Sequence, residues 1–175
     1  LKNVATVLAP YGVPPGFAGP AEIGGFGVFA GFMMLDALVA NRDRHSENWS
    51  VLRSVGPADG DSLAPSYDHA SSLGFNLPDD RRGRLLRDSR MFEAFLRKGD
   101  ANRFEGGRHT PLVDHALEAL TLAGIRAKTF WLTRLADLDP TGLSSLAART
   151  ETMSELARTL AVDVLVANRR RLLDG

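Results

Sequence analysis

A chain of 175 residues with 44% hydrophobic content can bury one sizeable core, so a single domain is expected. Lys plus Arg equals Asp plus Glu at 21 each, which leaves no global field to draw the protein onto nucleic acid or an anionic membrane surface. The absence of cysteine excludes disulfide frameworks, thiolate zinc sites and a cysteine nucleophile, and makes the reducing cytoplasm the expected location.

Residues 10 to 25, PYGVPPGFAGPAEIGG, hold four prolines and five glycines, a composition that predicts a loop rather than a helix or central strand. From Phe26 to Ala40 apolar residues surround the segment almost completely, which predicts a helix buried on most sides. Its apolar run, Phe26 to Leu38, is shorter than the roughly 18 residues needed to cross a bilayer and is broken by Gly27, Gly31 and Asp36; no signal-peptide flanks frame it. The glycines in GGFGVFAG favour close helix packing over a phosphate loop, because no strand precedes them. NWSVLR and SLAPSYD then read as two strands joined by the turn SVGPADGD.

After Gly74 the pattern is helical. Asp88 to Lys98 places Met91, Phe92, Phe95 and Leu96 on one stripe before Gly99. Thr110 and Pro111 predict a helix start, with Leu112, Ala116, Leu117 and Leu120 on one face and an end near Gly124. Residues 125 to 137 and the tail from Thr152, opened by a capping box of Thr152 with Glu155, repeat the amphipathic pattern. The arginine-rich segment 79–90 reads as a solvated face and helix start, Phe130 and Trp131 as core, and His109 with His115 as too far apart for a metal pair.

One short polar run stands out against this background. Arg42, Asp43, Arg44, His45, Glu47 and Asn48 lie between the apolar helix and the first strand. At about 100° per residue, Asp43 and Asn48 would point roughly 140° apart on a helix, so they can converge only from a loop. A carboxylate and a carboxamide so placed suit an oxygen-ligand site for a hard cation such as magnesium. Asp68 ends the second strand, where an antiparallel return brings it beside Asn48. Singly, each of these residues reads as a turn former or surface ion pair. Together they place two carboxylates close enough to repel unless a cation or an arginine lies between them.

The order Asp43, Asn48, hairpin, Asp68 is that of kinases: a catalytic aspartate, a metal-binding asparagine five positions on, and a further metal aspartate after a hairpin. Here the chain resembles the C-terminal lobe of a kinase, specifically of the HipA-like serine/threonine kinases. In these a helix runs into an N-x-D-x-H-x-x-N loop and the later aspartate follows an AP-x-YD strand; NRDRHSEN and APSYDHASSLG are the matching stretches. The D-R-H-x-x-N form is also similar to phosphoinositide kinases. A conventional protein kinase matches less well, with Asn41-Arg42-Asp43 in place of H-R-D and Asp68-His69-Ala70 in place of D-F-G.

The resemblance implies a mainly α fold with a small β-hairpin, divided into a connecting segment (1–25), a catalytic helix, loop and hairpin (26–74) and a helical bundle (75–175). It implies that Asp43 orients or deprotonates an acceptor hydroxyl and that Asn48 and Asp68 hold Mg²⁺ on the phosphates of ATP. Arg44 is expected to pair with the transferred phosphate or with Asp68, and His45 to brace the loop through backbone hydrogen bonds. The implied activity is ATP- and Mg²⁺-dependent phosphorylation of a protein serine or threonine. The alternatives are a phosphoinositide or small-molecule kinase, or a non-catalytic kinase-like binding module. The family also implies a protein substrate and an antitoxin-type DNA-binding partner as in toxin–antitoxin pairs, while the balanced charge and the short apolar run predict no direct nucleic-acid or membrane partner. No glycine-rich cover or strand-borne lysine precedes the loop, Lys2 being the only lysine before Lys98, and residue 1 is leucine. The expectation is a C-terminal lobe whose N-terminal lobe is absent or separately encoded, inactive by itself, with its ATP-contacting residues unknown.

Overall fold

The computed structural model of the protein describes residues 1–56, 60–101, 104 and 110–175. Its elements in chain order are α1 (Lys2–Leu8), α2 (Gly24–Val39), β1 (Val51–Leu52), β2 (Ser62–Leu63), α3 (Asp79–Arg87), α4 (Ser89–Arg97), α5 (Leu112–Leu122), α6 (Ile125–Ala136), α7 (Pro140–Ala148) and α8 (Glu155–Asp174). The fold is mainly α with one two-stranded antiparallel sheet, as the sequence predicts.

α2 is the axis of the molecule. Its apolar residues point in nearly every direction, and it is accordingly covered by α1, α5, α6 and α8 and by β2. Val28, Phe29, Ala30 and Met33 are buried there against Ala116, Ala119 and Leu120 of α5. The glycines of α2 provide the close approach that the sequence suggests. Trp131 of α6 lies over Gly31, where an added Cβ would sit 2.2 Å from Cε2, and its indole Nε1–H donates to the Gly27 carbonyl at 2.8 Å. Together with the short 3-10 turn Ala21–Ile23, this helix becomes a 19-residue apolar segment, longer than the sequence run suggests and sufficient by length and composition to cross a membrane. Most of it is buried inside the fold, the position of a core helix.

A second, smaller cluster joins Leu85 of α3, Leu96 of α4 and Leu160 and Val164 of α8, with Ala40, Leu73 and Leu77 packed against it. α8 contributes to both clusters, since Leu172 near its end belongs to the larger one. Asn168 ties it to α2 by donating from Nδ2 to the Leu38 carbonyl at 3.3 Å.

Several boundaries differ from expectation, each for a local reason. The Pro/Gly-rich segment is a loop for most of its length but closes into the 3-10 turn, and α2 starts at Gly24, two residues before Phe26. Gly25 permits this, because its N–H donates to the Tyr11 carbonyl at 2.8 Å and a Cβ would collide with that same oxygen. The strands are two residues each, in register Val51↔Leu63 and Leu52↔Ser62. Pairing stops because Pro65 has no N–H to give, while Gly12 lends a parallel bridge to Ser62 from the other side. Part of the expected turn between the strands, 57–59, lies outside the described residues.

α5 begins one residue after the expected Thr110–Pro111 start, with Pro111 at its N-cap and no side-chain cap. The N-cap of α8 is Ser154 rather than Thr152, its hydroxyl accepting from the Ala157 N–H at 3.1 Å. Two helices go unanticipated, α1 and α7. The second carries a legible signal, Asp139 followed by Pro140, and the Asp139 carboxylate does accept from the N–H groups of Thr141 and Gly142. On α4, Leu96 is buried and Phe92 and Phe95 are half-buried, but Met91 is exposed.

Candidate functional site

The end of α2 builds the site. Ala40 takes a left-handed conformation (φ 55°), unusual for a residue with a Cβ, and this lets the Asn41 N–H turn back to the Asp36 carbonyl at 2.8 Å. The chain then leaves the helix, and residues 41–50 form the loop that the spacing of Asp43 and Asn48 requires. Asn41, fully buried, pins this loop twice: its Nδ2 donates to Asp36 Oδ1 at 2.8 Å and its Oδ1 accepts from the Asp43 N–H at 3.2 Å. The Asp43 carbonyl in turn accepts from Asn48 Nδ2 at 2.7 Å, which spans the five-residue interval between the two predicted site residues.

Arg44 is the centre of the arrangement. It is buried (3% exposed) and grips an equally buried Asp36 (2%) with both prongs of its guanidinium: Nε to Oδ2 at 2.7 Å and Nη2 to Oδ1 at 2.8 Å. Nη1 donates to the Asn48 carbonyl at 2.6 Å and to the Tyr67 carbonyl at 3.2 Å. Nη2 also donates to Ser66 Oγ at 3.2 Å and lies 3.4 Å from His69 Nδ1. A guanidinium has five N–H donors in one plane, and the carboxylate fixes that plane. The loop bearing Asn48 and the segment bearing Asp68 are therefore fastened to one side chain.

This corrects the expected role of Arg44. Its carboxylate partner is not Asp68 but Asp36, a residue that in the sequence looks only like an interruption of an apolar helix. Breaking such a pair from one side costs about 3–5 kcal/mol, because the survivor is a buried, uncompensated charge. Asn41, Ser66, Tyr67 and His69 also belong to the network and were not foreseen as site residues. The available signal was a lone acid in α2 followed eight positions later by an arginine.

The remaining predicted residues have distinct settings. Asp43, half-buried, lines an open cleft of about 400 Å³ together with Arg42, Ser71, Gly74, Phe75 and Asn76. His45 is 31% exposed; its Nδ1 accepts from the Glu47 N–H at 3.3 Å, and its carbonyl accepts from the Asn48 N–H at 3.0 Å. Tyr67 reinforces the meeting of the two segments by donating its hydroxyl to the Glu47 carbonyl at 2.8 Å. Asp68 is exposed and held in the left-handed region (φ 55°), a strained choice for a residue with a side chain. Among the described residues its carboxylate takes no hydrogen bond or ion pair. His109 lies outside the described residues, while His115 is buried in α5 beside Phe104.

What the site offers chemically is oxygen. Among the described residues no three His, Cys, Asp or Glu side chains gather as a self-sufficient metal cage. Asn48 commits its amide nitrogen to Asp43, which directs the oxygen of the same group elsewhere, and Asp68 presents an uncommitted carboxylate. Such a sparse donor set fits a hard cation whose other ligands come from phosphate and water, and does not suit zinc. Beyond the site, the hairpin is locked by Asp61. The Ser54 N–H and the Arg53 guanidinium both bind its carboxylate and hold its pKa below the ordinary carboxyl range.

No protein-family model and no curated protein matches the chain. Among solved structures it is similar to a Helicobacter pylori proinflammatory kinase, CtkA, with a TM-score of 0.66 and 21% identity. The match covers 85% of this chain and 51% of that one, so the chain spans about half the length of the kinase it resembles. At this identity the likeness is one of fold, and it agrees with a mainly helical, kinase-like fold corresponding in extent to part of such an enzyme.

Proposed function

We propose that this chain carries the acceptor- and metal-binding part of a phosphotransferase site, and that the full-length protein transfers the γ-phosphoryl group of ATP to a serine or threonine hydroxyl of a protein, in the manner of the HipA-like kinases. The observation that carries this reading is the single guanidinium joining the Asn48 and Tyr67 carbonyls, because it unites two segments distant in sequence, one at Asn48 itself and the other at the residue before Asp68. In this reading Asn48 and Asp68 hold Mg²⁺, which neutralises phosphate charge when bound. Asp43 accepts a hydrogen bond from the acceptor hydroxyl and takes its proton as the new P–O bond forms and the bond to ADP breaks. The open cleft beside Asp43 leaves room for an acceptor, with Phe75, 60% exposed, offering an apolar contact at its edge.

The test is phosphoryl transfer by the full-length protein from labelled ATP. Asp43→Asn is expected to lower the rate by about 10²–10⁴-fold, the usual contribution of a positioned general base, with nucleotide binding retained. Full activity in that variant would refute the assignment. Absence of Mg²⁺–nucleotide binding by the unaltered protein would favour a non-catalytic module instead.

A further inference from the structure

We infer that Asp36 is a positioning residue for the metal site, acting through Arg44 to set the spacing of Asn48 and Asp68. The inference rests on the proposed function and adds a residue that the kinase pattern of Asp43, Asn48 and Asp68 does not contain. Three observations carry it. First, Asp36 meets no candidate ligand itself, yet it receives two of the Arg44 hydrogen bonds and one from Asn41, all between 2.7 and 2.8 Å. Second, with Nε and Nη2 held by the carboxylate, the plane that fixes the two N–H bonds of Nη1 is set, and Nη1 donates to the carbonyl of Asn48 itself and to the carbonyl of the residue preceding Asp68. Third, Asp36 stands one turn before the end of the most buried helix, so the anchor of the fork is the core of the molecule rather than another loop.

Asp68 and its neighbours have little else to hold them. The residue is exposed and strained, β2 ends five positions earlier, and Leu73 and Gly74 beyond it are again left-handed. Besides the Arg44 fork, the described ties between the two segments include the Tyr67 hydroxyl on the Glu47 carbonyl and the Ala64 N–H on the Ser50 carbonyl at 2.8 Å; neither reaches the Asn48 carbonyl or Asp68. The carboxylate of Asp36 thus governs the distance between two ligands without touching either.

The experiment measures metal affinity directly. Mn²⁺, standing in for magnesium, is titrated into the full-length protein with a non-hydrolysable ATP analogue and followed by electron paramagnetic resonance, in the unaltered protein and in Asp36→Asn, Arg44→Lys and Leu172→Ala. Arg44→Lys keeps the charge opposite Asp36, so folding is protected, but one ammonium cannot reach both carbonyls from a fixed plane. Asp36→Asn and Arg44→Lys are expected to weaken Mn²⁺ binding by about 10–100-fold, the range found when groups supporting metal ligands are removed. At saturating metal their transfer rate is expected to return to near that of the unaltered protein. Leu172→Ala, in the distant core, should lower the melting temperature and leave Mn²⁺ affinity unchanged. Unaltered Mn²⁺ affinity in a folded Arg44→Lys protein overturns the inference alone. So does an equal loss in Leu172→Ala, which would make the effect one of general destabilisation. No Mn²⁺ binding by the unaltered protein overturns the proposed function and this inference with it.

Discussion

Gly31 is where a single hydrogen atom decides a helix crossing. The indole of Trp131 occupies the space that any side chain at this position would need, and its N–H finds the Gly27 carbonyl only because the two helices approach so closely. Gly31→Ala gains helix propensity worth about 1 kcal/mol, yet it forces the ring aside and strands the indole N–H. Overpacking of this kind costs about 1–3 kcal/mol, and the lost hydrogen bond adds to it, so a net loss of stability is expected. Denaturant titration checks this; an unchanged or raised midpoint would show that Trp131 does not depend on the bare backbone of α2. The tryptophan was legible in the sequence as core, and the glycines as packing residues. Their mutual contact was not, because residues 31 and 131 are brought together only by the fold.

At the scale of elements, helix starts were the least legible feature. Thr152 and Ser154 both stand near the start of α8, and both can cap; Ser154 wins because it also reaches α3. Its hydroxyl donates to Asp79 Oδ1 at 2.8 Å while accepting from Ala157, so one side chain closes one helix and braces another. Ser154→Ala is therefore expected to cost about 1 kcal/mol as a cap, plus the link to Asp79. Arg82 first and Ser154 second hold the Asp79 carboxyl below its ordinary pKa, and the N–H groups of Thr141 and Gly142 do the same for Asp139 at the start of α7. A depressed carboxyl stabilises the fold above its unfolded pKa of about 4 and loses that contribution as pH falls through its lower folded value. Thermal melts should accordingly show the Ser154→Ala penalty shrinking below about pH 4, as Asp79 is protonated in both proteins. A penalty constant from pH 7 to pH 3 would assign it to the cap alone. The strands show the opposite limit of sequence reading. Their β-rich composition suggests longer pairing, but Pro65 and the claims of Arg44 on Ser66 and Tyr67 draw the second strand out of the ladder after Ala64.

In the whole molecule both apolar clusters adjoin the site: Phe32 of the larger faces the Arg44 guanidinium, and Ala40 and Leu73 pack against the smaller. Leu160 of α8, fully buried, packs with Leu73, Leu77 and Ala40, the residues that flank the candidate loop and the segment after Asp68. Leu160→Ala should cost about 2–5 kcal/mol and speed hydrogen exchange at the amides of Leu73 and Leu77 more than at those of α5. Equal acceleration everywhere would show that the two clusters open as one unit. The order of Asp43, Asn48 and Asp68 could be read from their spacing in the sequence. The anchor could not, since a lone aspartate in an apolar helix has no meaning until its arginine is seen to turn inward. That buried pair also constrains how the sequence can drift. Losing either charge singly would cost about 3–5 kcal/mol, a large share of the 5–15 kcal/mol by which a domain of this size is stable. Positions 36 and 44 are thus coupled, so that neutralising either one alone removes much of the margin by which the fold is stable. A lineage is expected to keep the two charges together, or to exchange both.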